Sequence, residues 1–416
     1  MRSRIAASID PRTWDEGGGR LEPGVGHAGG PLKSFIPFYK PWIDGREVRK
    51  VAKAIRSGWL TTGPMVGDLE RRVATLVGAR WAVALNSCTA ALHLALAACG
   101  VGPGDEVVTS PYTFAATGEA ILYLGARPVF ADIDPRSLNI DPDEVARVLN
   151  RRTRAIIPVH IAGLPCDMQA LHDLATTRGI RLIDDAAHAL GTRIGGSSIG
   201  ALSHATCFSF YATKNLTTGE GGMVTVDDQR LAERIRRLSL HGLSRDAWKR
   251  YSRTGSWRYD VVELGYKYNM TDVAAAIGLA QLEKFTDMQR RRRRLARTYS
   301  RELRRFDAYE TPEEIPGTTH AWHLYILRVR PEVLRVGRDE VIDLLRRRGI
   351  GTSVHFQPLH LHSYYRKTFG YRRGSYPETE RESSRAISLP LYPGLGERQA
   401  GRVIEALEDI ARLRRR

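Results

Sequence analysis

Four segments of this 416-residue chain carry side chains that could share one piece of chemistry. Lys214 sits in Phe208-Ser209-Phe210-Tyr211-Ala212-Thr213-Lys214-Asn215, just before Thr217-Thr218-Gly219-Glu220-Gly221-Gly222. Upstream, the apolar run Arg181-Leu182-Ile183 ends in Asp184 and Asp185. Earlier still, Leu85-Asn86-Ser87-Cys88-Thr89-Ala90 leads from a strand through small polar residues into a helix, and Ser110-Pro111-Tyr112-Thr113-Phe114 sets aromatics after a second strand. An amine, a carboxylate on a buried strand, a helix N-terminus and an aromatic are what pyridoxal phosphate (PLP) requires. The amine forms a Schiff base, the carboxylate keeps the ring nitrogen protonated, the helix end holds the phosphate, and the aromatic stacks on the ring. A lysine in that role must be partly neutral, which burial or a nearby cation achieves.

Each segment also has a plainer reading. Ser87 to Thr89 can simply cap a core helix, Asp184 or Asp185 can cap residues 186–190, Tyr112 or Phe114 can pack inward, and most lysines lie on the surface. Only one of the adjacent aspartates is expected to face a site. The occurrence of all the parts in one chain, in a workable order, favours the cofactor.

Short β-branched runs alternate with helical periodicity from about residue 67 to 226. Strands are expected at 81–85, 106–109, 127–130, 155–159, 181–183, 205–209 and 223–226, with helices between several of them at 89–99, 113–123, 141–150 and 167–178. Apolar strands joined by helical crossovers predict a mostly parallel α/β sheet covered on both faces, with ligands at the carboxyl ends of its strands. The candidate motifs fall at those ends. An amphipathic helix is expected at 45–57, and further helices at 229–240 and 270–305. After Pro312 and Pro316 the pattern becomes a small α+β domain, with Tyr325–Val329, a helix at 338–348, Thr352–Phe356 and a closing helix at 397–412. The expected organisation is a glycine-rich flexible leader at 1–34, a large domain at 35–285 and a small C-terminal domain at 286–416.

Composition narrows the class. Hydrophobic residues make up 42% and charged residues 26%, as in ordinary globular proteins. No apolar run approaches the roughly 18 residues of a membrane helix, and no secretory h-region is present. Cys88, Cys99, Cys166 and Cys207 show no CxxC pairing, so they read as reduced thiols of a cytoplasmic protein without a metal site. The net charge of +17 admits nucleic acid, a membrane surface or an anionic small substrate. Because the arginines are dispersed and the sharpest run, Arg290 to Arg294, lies in a long polar helix, no nucleic-acid partner is expected.

The segments Asn86–Leu92, Asp184-Asp185-Ala186-Ala187-His188-Ala189-Leu190-Gly191, Phe208–Asn215 and Gly265-Tyr266-Lys267-Tyr268-Asn269-Met270-Thr271-Asp272 together resemble the DegT/DnrJ/StrS family of PLP-dependent sugar aminotransferases. The resemblance covers about residues 35–412. It implies the type I, aspartate aminotransferase-like fold, with Lys214 as the Schiff-base lysine and Asp185 on the pyridinium nitrogen. It also implies Phe114 on the ring, and Cys88, Thr89 and Ser209 on the phosphate. Cys88 stands where the family often has Gly or Ala, a mild departure because a backbone amide can serve there. Asn269 matches an asparagine that reaches the phosphate of the neighbouring subunit, which implies a homodimer with shared sites. His188 lies near the cofactor in relatives, or braces the Asp185 loop. A subgroup of dehydratases in the family has histidine in place of the lysine; this chain keeps Lys214. The resemblance therefore implies transfer of an amino group from glutamate or glutamine to a keto sugar, often nucleotide-linked. A PLP-dependent dehydratase or epimerase and a catalytically silent PLP-binding regulator are the alternatives. Arg245, Trp248, His323, Tyr325 and His355 are candidate substrate contacts from their place in loops or at strand ends.

Overall fold

The computed structural model of the protein describes residues 35–244 and 259–415, so the expected leader at 1–34 and the candidates Arg245 and Trp248 lie outside the described residues. Helices α1 (Gly45–Arg56) and α2 (Pro64–Val77) come first. Asp44 starts α1: its carboxylate accepts from the Arg46 amide while Glu47 accepts from the Asp44 amide, a reciprocal cap. Pro64 opens α2 where a missing N–H costs nothing, and Gly78, at φ 77°, closes it.

Strands and helices then alternate as β1 (Trp81–Leu85), α3 (Cys88–Ala98), β2 (Glu106–Thr109), α4 (Ala115–Leu122), β3 (Arg127–Phe130), α5 (Pro142–Val148), β4 (Thr153–Ile157), α6 (Met168–Arg178) and β5 (Arg181–Asp185). A short hairpin, β6 (Arg193–Ile194) and β7 (Ser197–Ser198), precedes β8 (Ala205–Ser209), β9 (Gly222–Val226) and α7 (Gln229–Leu238). One seven-stranded sheet results, in the order β1-β9-β8-β5-β4-β2-β3. Only β9 runs against its neighbours. Alternate strand residues feed two cores, as the pleat dictates. Ala82, Ala84, Leu182 and Phe208 pack with α2, α6 and the first half of α8 (Asp272–Leu303), whereas Val83, Leu85, Ile183 and Cys207 pack with α3 and α7.

The second half of α8 serves a different core. Leu295, Tyr299 and Leu303 pack with residues of a small antiparallel sheet, β10 (Tyr309–Glu310), β12 (Tyr325–Val329) and β13 (Ala386–Leu389), while β11 (Thr318–Thr319) joins the β6-β7 hairpin. Helices α9 (Arg338–Arg347), α10 (Ser363–Phe369), α11 (Pro377–Arg385) and α12 (Glu397–Leu413) complete this part. A boundary drawn near residue 285 therefore falls inside one continuous helix. Thr352–Phe356 makes no strand of its own. Ser353 bridges Ser388 on β13, and His355 and Phe356 turn into the cavity described below. Along α8, Arg290 and Arg291 pair with Asp287 and Arg294 pairs with Glu397, while Arg292 points inward. Among the described residues no helix is long and apolar enough to cross a membrane.

Because β9 is antiparallel, its first residue, Gly222, lies at the carboxyl edge of β1 and β8, pressed on the turn that leads into α3. A Cβ there would stand 2.3 Å from the Ser87 carbonyl oxygen and 2.6 Å from the Cys88 amide nitrogen. Gly222→Ala is expected to displace that turn and destabilise the protein by about 1–3 kcal/mol. The measurement is a urea unfolding midpoint, and a wild-type value would contradict the close approach.

Candidate active site

The carboxyl ends of β1, β2, β5 and β8 open into a cavity of about 550 Å³. It brings together Cys88, Thr89, Phe114, Asp185, His188, Ser209, Lys214, His323 and His355. Lys214 lies in the turn after β8. Its amide donates to the Tyr211 carbonyl at 2.9 Å, and its own carbonyl accepts from the Tyr39 hydroxyl at 3.2 Å. Burial lowers the ammonium pKa to about 8, with Cys88 and Asp185 pulling the other way. At pH 7 about a tenth of such an amine is neutral, against a few parts in ten thousand for an ordinary lysine. It is a usable nucleophile.

Asp184 and Asp185 point to opposite faces of β5, as adjacent strand residues must. Asp184 accepts from Ser203 at 2.8 Å and Thr206 at 3.1 Å, away from the cavity. Asp185 faces in, with Thr117 Oγ1 donating to Oδ2 at 2.7 Å and the Ala187 amide to Oδ1 at 3.1 Å. Burial holds its pKa above the ordinary carboxylate range, opposed by those two bonds and by Lys214. A cation brought beside it would reverse that direction. A pyridinium nitrogen is such a cation.

At the other end, Ser87 caps α3 by accepting from the Ala90 amide at 3.0 Å, and its carbonyl accepts from Ala91. The Cys88 and Thr89 amides take no protein acceptor among the described residues and sit at the positive end of the helix dipole, with the Thr89 and Ser209 side chains beside them. The Cys88 thiol lies 3.7 Å from the Cys207 carbonyl and is pushed well up by burial, so its backbone rather than its sulfur is available to an anion. Phe114, 63% exposed at the start of α4, stands at the cavity with its ring 6.1 Å from that of Phe356. Tyr112 is buried and donates to the His355 carbonyl at 2.6 Å, leaving Phe114 as the aromatic free to cover a ring. The side chains present fit PLP.

Three histidines close the cavity. His188 Nδ1 accepts from the Ala162 amide at 3.3 Å, which assigns its proton to Nε2. Asn215 donates through Nδ2 to the Ala321 carbonyl at 2.9 Å, so its oxygen accepts from His323 Nδ1 at 3.2 Å. His355 Nδ1 lies 2.8 Å from the Ser388 hydroxyl. Burial first, then nearby positive groups including Lys214, holds His188 and His323 neutral and lowers His355 to about 4. Among the described lining residues, Lys214 is thus the only cation at neutral pH. Beneath the histidines the backbone is strained: Ala162 and Trp322 have φ of 57° and 49°, a left-handed state that costs a residue with a Cβ roughly 1–2 kcal/mol. Ala162 supplies the amide held by His188 and the carbonyl that accepts from the His323 amide at 2.8 Å.

Two expected residues lie elsewhere. Asn269 donates to the Thr62 hydroxyl at 2.7 Å and is paired with Lys267, outside this chain's own cavity. Tyr325 is a correction: it lies on β12, wholly buried, packed edge-on against Tyr299 with its hydroxyl 3.0 Å from Ser300 Oγ, in the small-sheet core. Sequence reading missed Glu220 and Phe356, which also line the cavity. Glu220 carried a signal, since it sits in the Gly-Glu-Gly-Gly turn after Lys214; Phe356 carried none.

Comparisons with known proteins agree with this geometry. The model of the DegT/DnrJ/EryC1/StrS aminotransferase family matches residues 41–408. The spore coat polysaccharide biosynthesis protein SpsC of Bacillus subtilis is 49% identical over 379 residues, covering 91% of this chain and 97% of SpsC. The putative sugar aminotransferase Spr1654 of Streptococcus pneumoniae, solved in PMP and PLP forms, is 34% identical; the PMP form superposes with a TM-score of 0.86 over 91% of this chain and 99% of its own. DesI, solved in the presence of its TDP-sugar product, is 35% identical with a TM-score of 0.81, covering 91% and 93%. The family is PLP-dependent, and the mostly parallel sheet with its small C-terminal partner is the type I fold of those enzymes. With three of its four family segments gathered at one cavity and residues 41–408 matched, the chain belongs to the DegT/DnrJ/EryC1/StrS aminotransferase family.

Proposed function

We propose that the protein moves an amino group from glutamate or glutamine to a nucleotide-linked keto sugar, making an amino sugar. The observation that carries this reading is the convergence of Lys214, its pKa lowered to about 8, with Asp185 and the open N-terminus of α3 in one cavity. Retention of lysine rather than histidine at 214 favours transamination over dehydration. The TDP-sugar product of DesI and the polysaccharide role in the SpsC name support a sugar acceptor.

When bound, PLP supplies an electrophilic carbon and a protonated ring that draws off the electron pair released at the donor's α-carbon. The chain does the rest. Asp185, held by Thr117 and Ala187, would keep the proton on the ring nitrogen. Lys214 Nζ would be the amine that attaches the cofactor and, once released, the base that takes the proton from the donor Cα and the acid that returns one to the sugar carbon. The Cys88 and Thr89 amides and Ser209 would hold the phosphate, and Phe114 would cover the ring. His188, neutral with its proton on Nε2, keeps a donor among the residues that line the cavity.

By the resemblance the sequence carries, the asparagine at 269 serves the phosphate of the neighbouring subunit rather than its own. Asn269 stands outside its own cavity. We therefore propose a cytoplasmic homodimer in which Asn269 reaches the phosphate in the partner's site.

Lys214→Ala is expected to abolish the visible Schiff-base absorbance and lower turnover by at least about 10³-fold. Colour and activity that survive would refute the assignment. Keto-acid release from glutamate or glutamine, dependent on a keto sugar, separates transamination from dehydration or epimerisation, neither of which consumes a donor. Mixing Lys214→Ala with Asn269→Ala subunits should restore roughly a quarter of wild-type activity, because half of random dimers are mixed and each then holds one intact site. No restoration would mean unshared sites. In the cofactor-free protein, labelling of Lys214 by an amine reagent should rise with pH about a midpoint near 8. Burial lowers this pKa, so the reactive amine gains as pH passes 8; a midpoint near the ordinary 10.5 would contradict the lowered value.

A further inference from the structure

Arg292 is the buried member of an arginine run whose neighbours Arg290, Arg291 and Arg294 pair with surface carboxylates. It is 1% exposed and has no carboxylate within ion-pair reach among the described residues. Its Nη1 donates to the Leu391 carbonyl at 2.8 Å, with the His323 and Trp322 carbonyls at the outer limit of 3.4 and 3.5 Å, and its buried Nε has no partner. Its guanidinium carbon stands 5.9 Å from the ring centroid of Tyr39, whose hydroxyl donates to the Lys214 carbonyl. Burying a cation without a counter-ion is costly, and an apolar side chain of like volume would fill this space at lower cost. Packing alone does not explain it.

What the cation touches does. The carbonyls of Trp322 and His323 belong to the left-handed turn that delivers His323 to the cavity, and Tyr39 fixes the backbone of Lys214. We infer that Arg292 and Tyr39 are positioning residues for the proposed amino transfer: the buried guanidinium draws together the Trp322-His323 turn, the Leu391 loop and the Tyr39 ring, and Tyr39 transmits that placement to Lys214. Arg292 and Tyr39 act behind the cavity and line no part of it. The guanidinium also adds, after burial, His188 and Lys214, to the influences that keep His323 neutral.

The inference rests on Lys214 as the cofactor-bearing residue, so the holoenzyme must first show a visible band that Lys214→Ala lacks; its absence would defeat the functional reading and not this one. The test is then a double-mutant cycle on the single-turnover rate with saturating amino donor, followed by the change in visible absorbance, with donor KM, cofactor dissociation and melting midpoint measured alongside. Tyr39→Phe removes one hydroxyl and is expected to slow the turnover step about tenfold while the other three quantities stay at wild type. Arg292→Met is expected to slow it at least as much, and the double variant no more than Arg292→Met alone, since both act through one link. Should Arg292→Met not fold, Arg292→Lys takes its place in the cycle, because an ammonium keeps the charge and loses the fork. A wild-type rate in Tyr39→Phe, or losses that multiply in the double variant, would overturn the proposal.

Discussion

An amine and a carboxylate buried in one apolar cavity are each pushed toward the neutral form, and the surrounding structure is arranged around that opposition. Lys214 loses its proton more readily than a surface lysine, whereas Asp185 keeps its own more tightly than a surface aspartate. A cofactor that offers one an electrophilic carbon and the other a pyridinium nitrogen satisfies both. The three histidines hold to the same pattern, buried and neutral, so they add donors and acceptors without adding charge.

Keeping these groups in place falls to the sheet. Parallel strands deliver Cys88, Phe114, Asp185 and Lys214 to one edge, and the single reversed strand brings Gly222 to that same edge, where the absence of a Cβ lets the α3 turn lie close. The backbone beneath the histidines is left-handed at Ala162 and Trp322, and such geometry persists only where the surroundings over-determine it. Buried Arg292, bonded to carbonyls beside that turn, belongs to those surroundings.

Local pattern carried much of this. The strands at 81–85, 106–109, 127–130, 205–209 and 325–329 lie where β-branched runs place them, because a strand buried on both faces leaves a plain apolar signature. Lys214, Asp185 and the α3 turn were legible because each sits where a strand's apolar run stops. Contacts between distant segments were not. Phe356 lines the cavity and β13, rather than 352–356, completes the small sheet, since both depend on how residues far apart in the chain meet. Tyr325 looked like a strand-end aromatic open to a ligand, but the second half of α8 covers it. Arg292 was not singled out from its neighbours in the run of five, although it falls on the apolar stripe of the helix with Met288, Leu295, Ala296 and Tyr299.

The central claim is that the amine buried at the carboxyl edge, and no other, bears the cofactor. Borohydride reduction of the PLP-loaded enzyme, followed by digestion and mass spectrometry, reads this directly. The account predicts one phosphopyridoxyl group per chain, on the peptide that contains Lys214. Stoichiometric label on a different lysine, such as the exposed Lys267, with Lys214 unmodified, would contradict it.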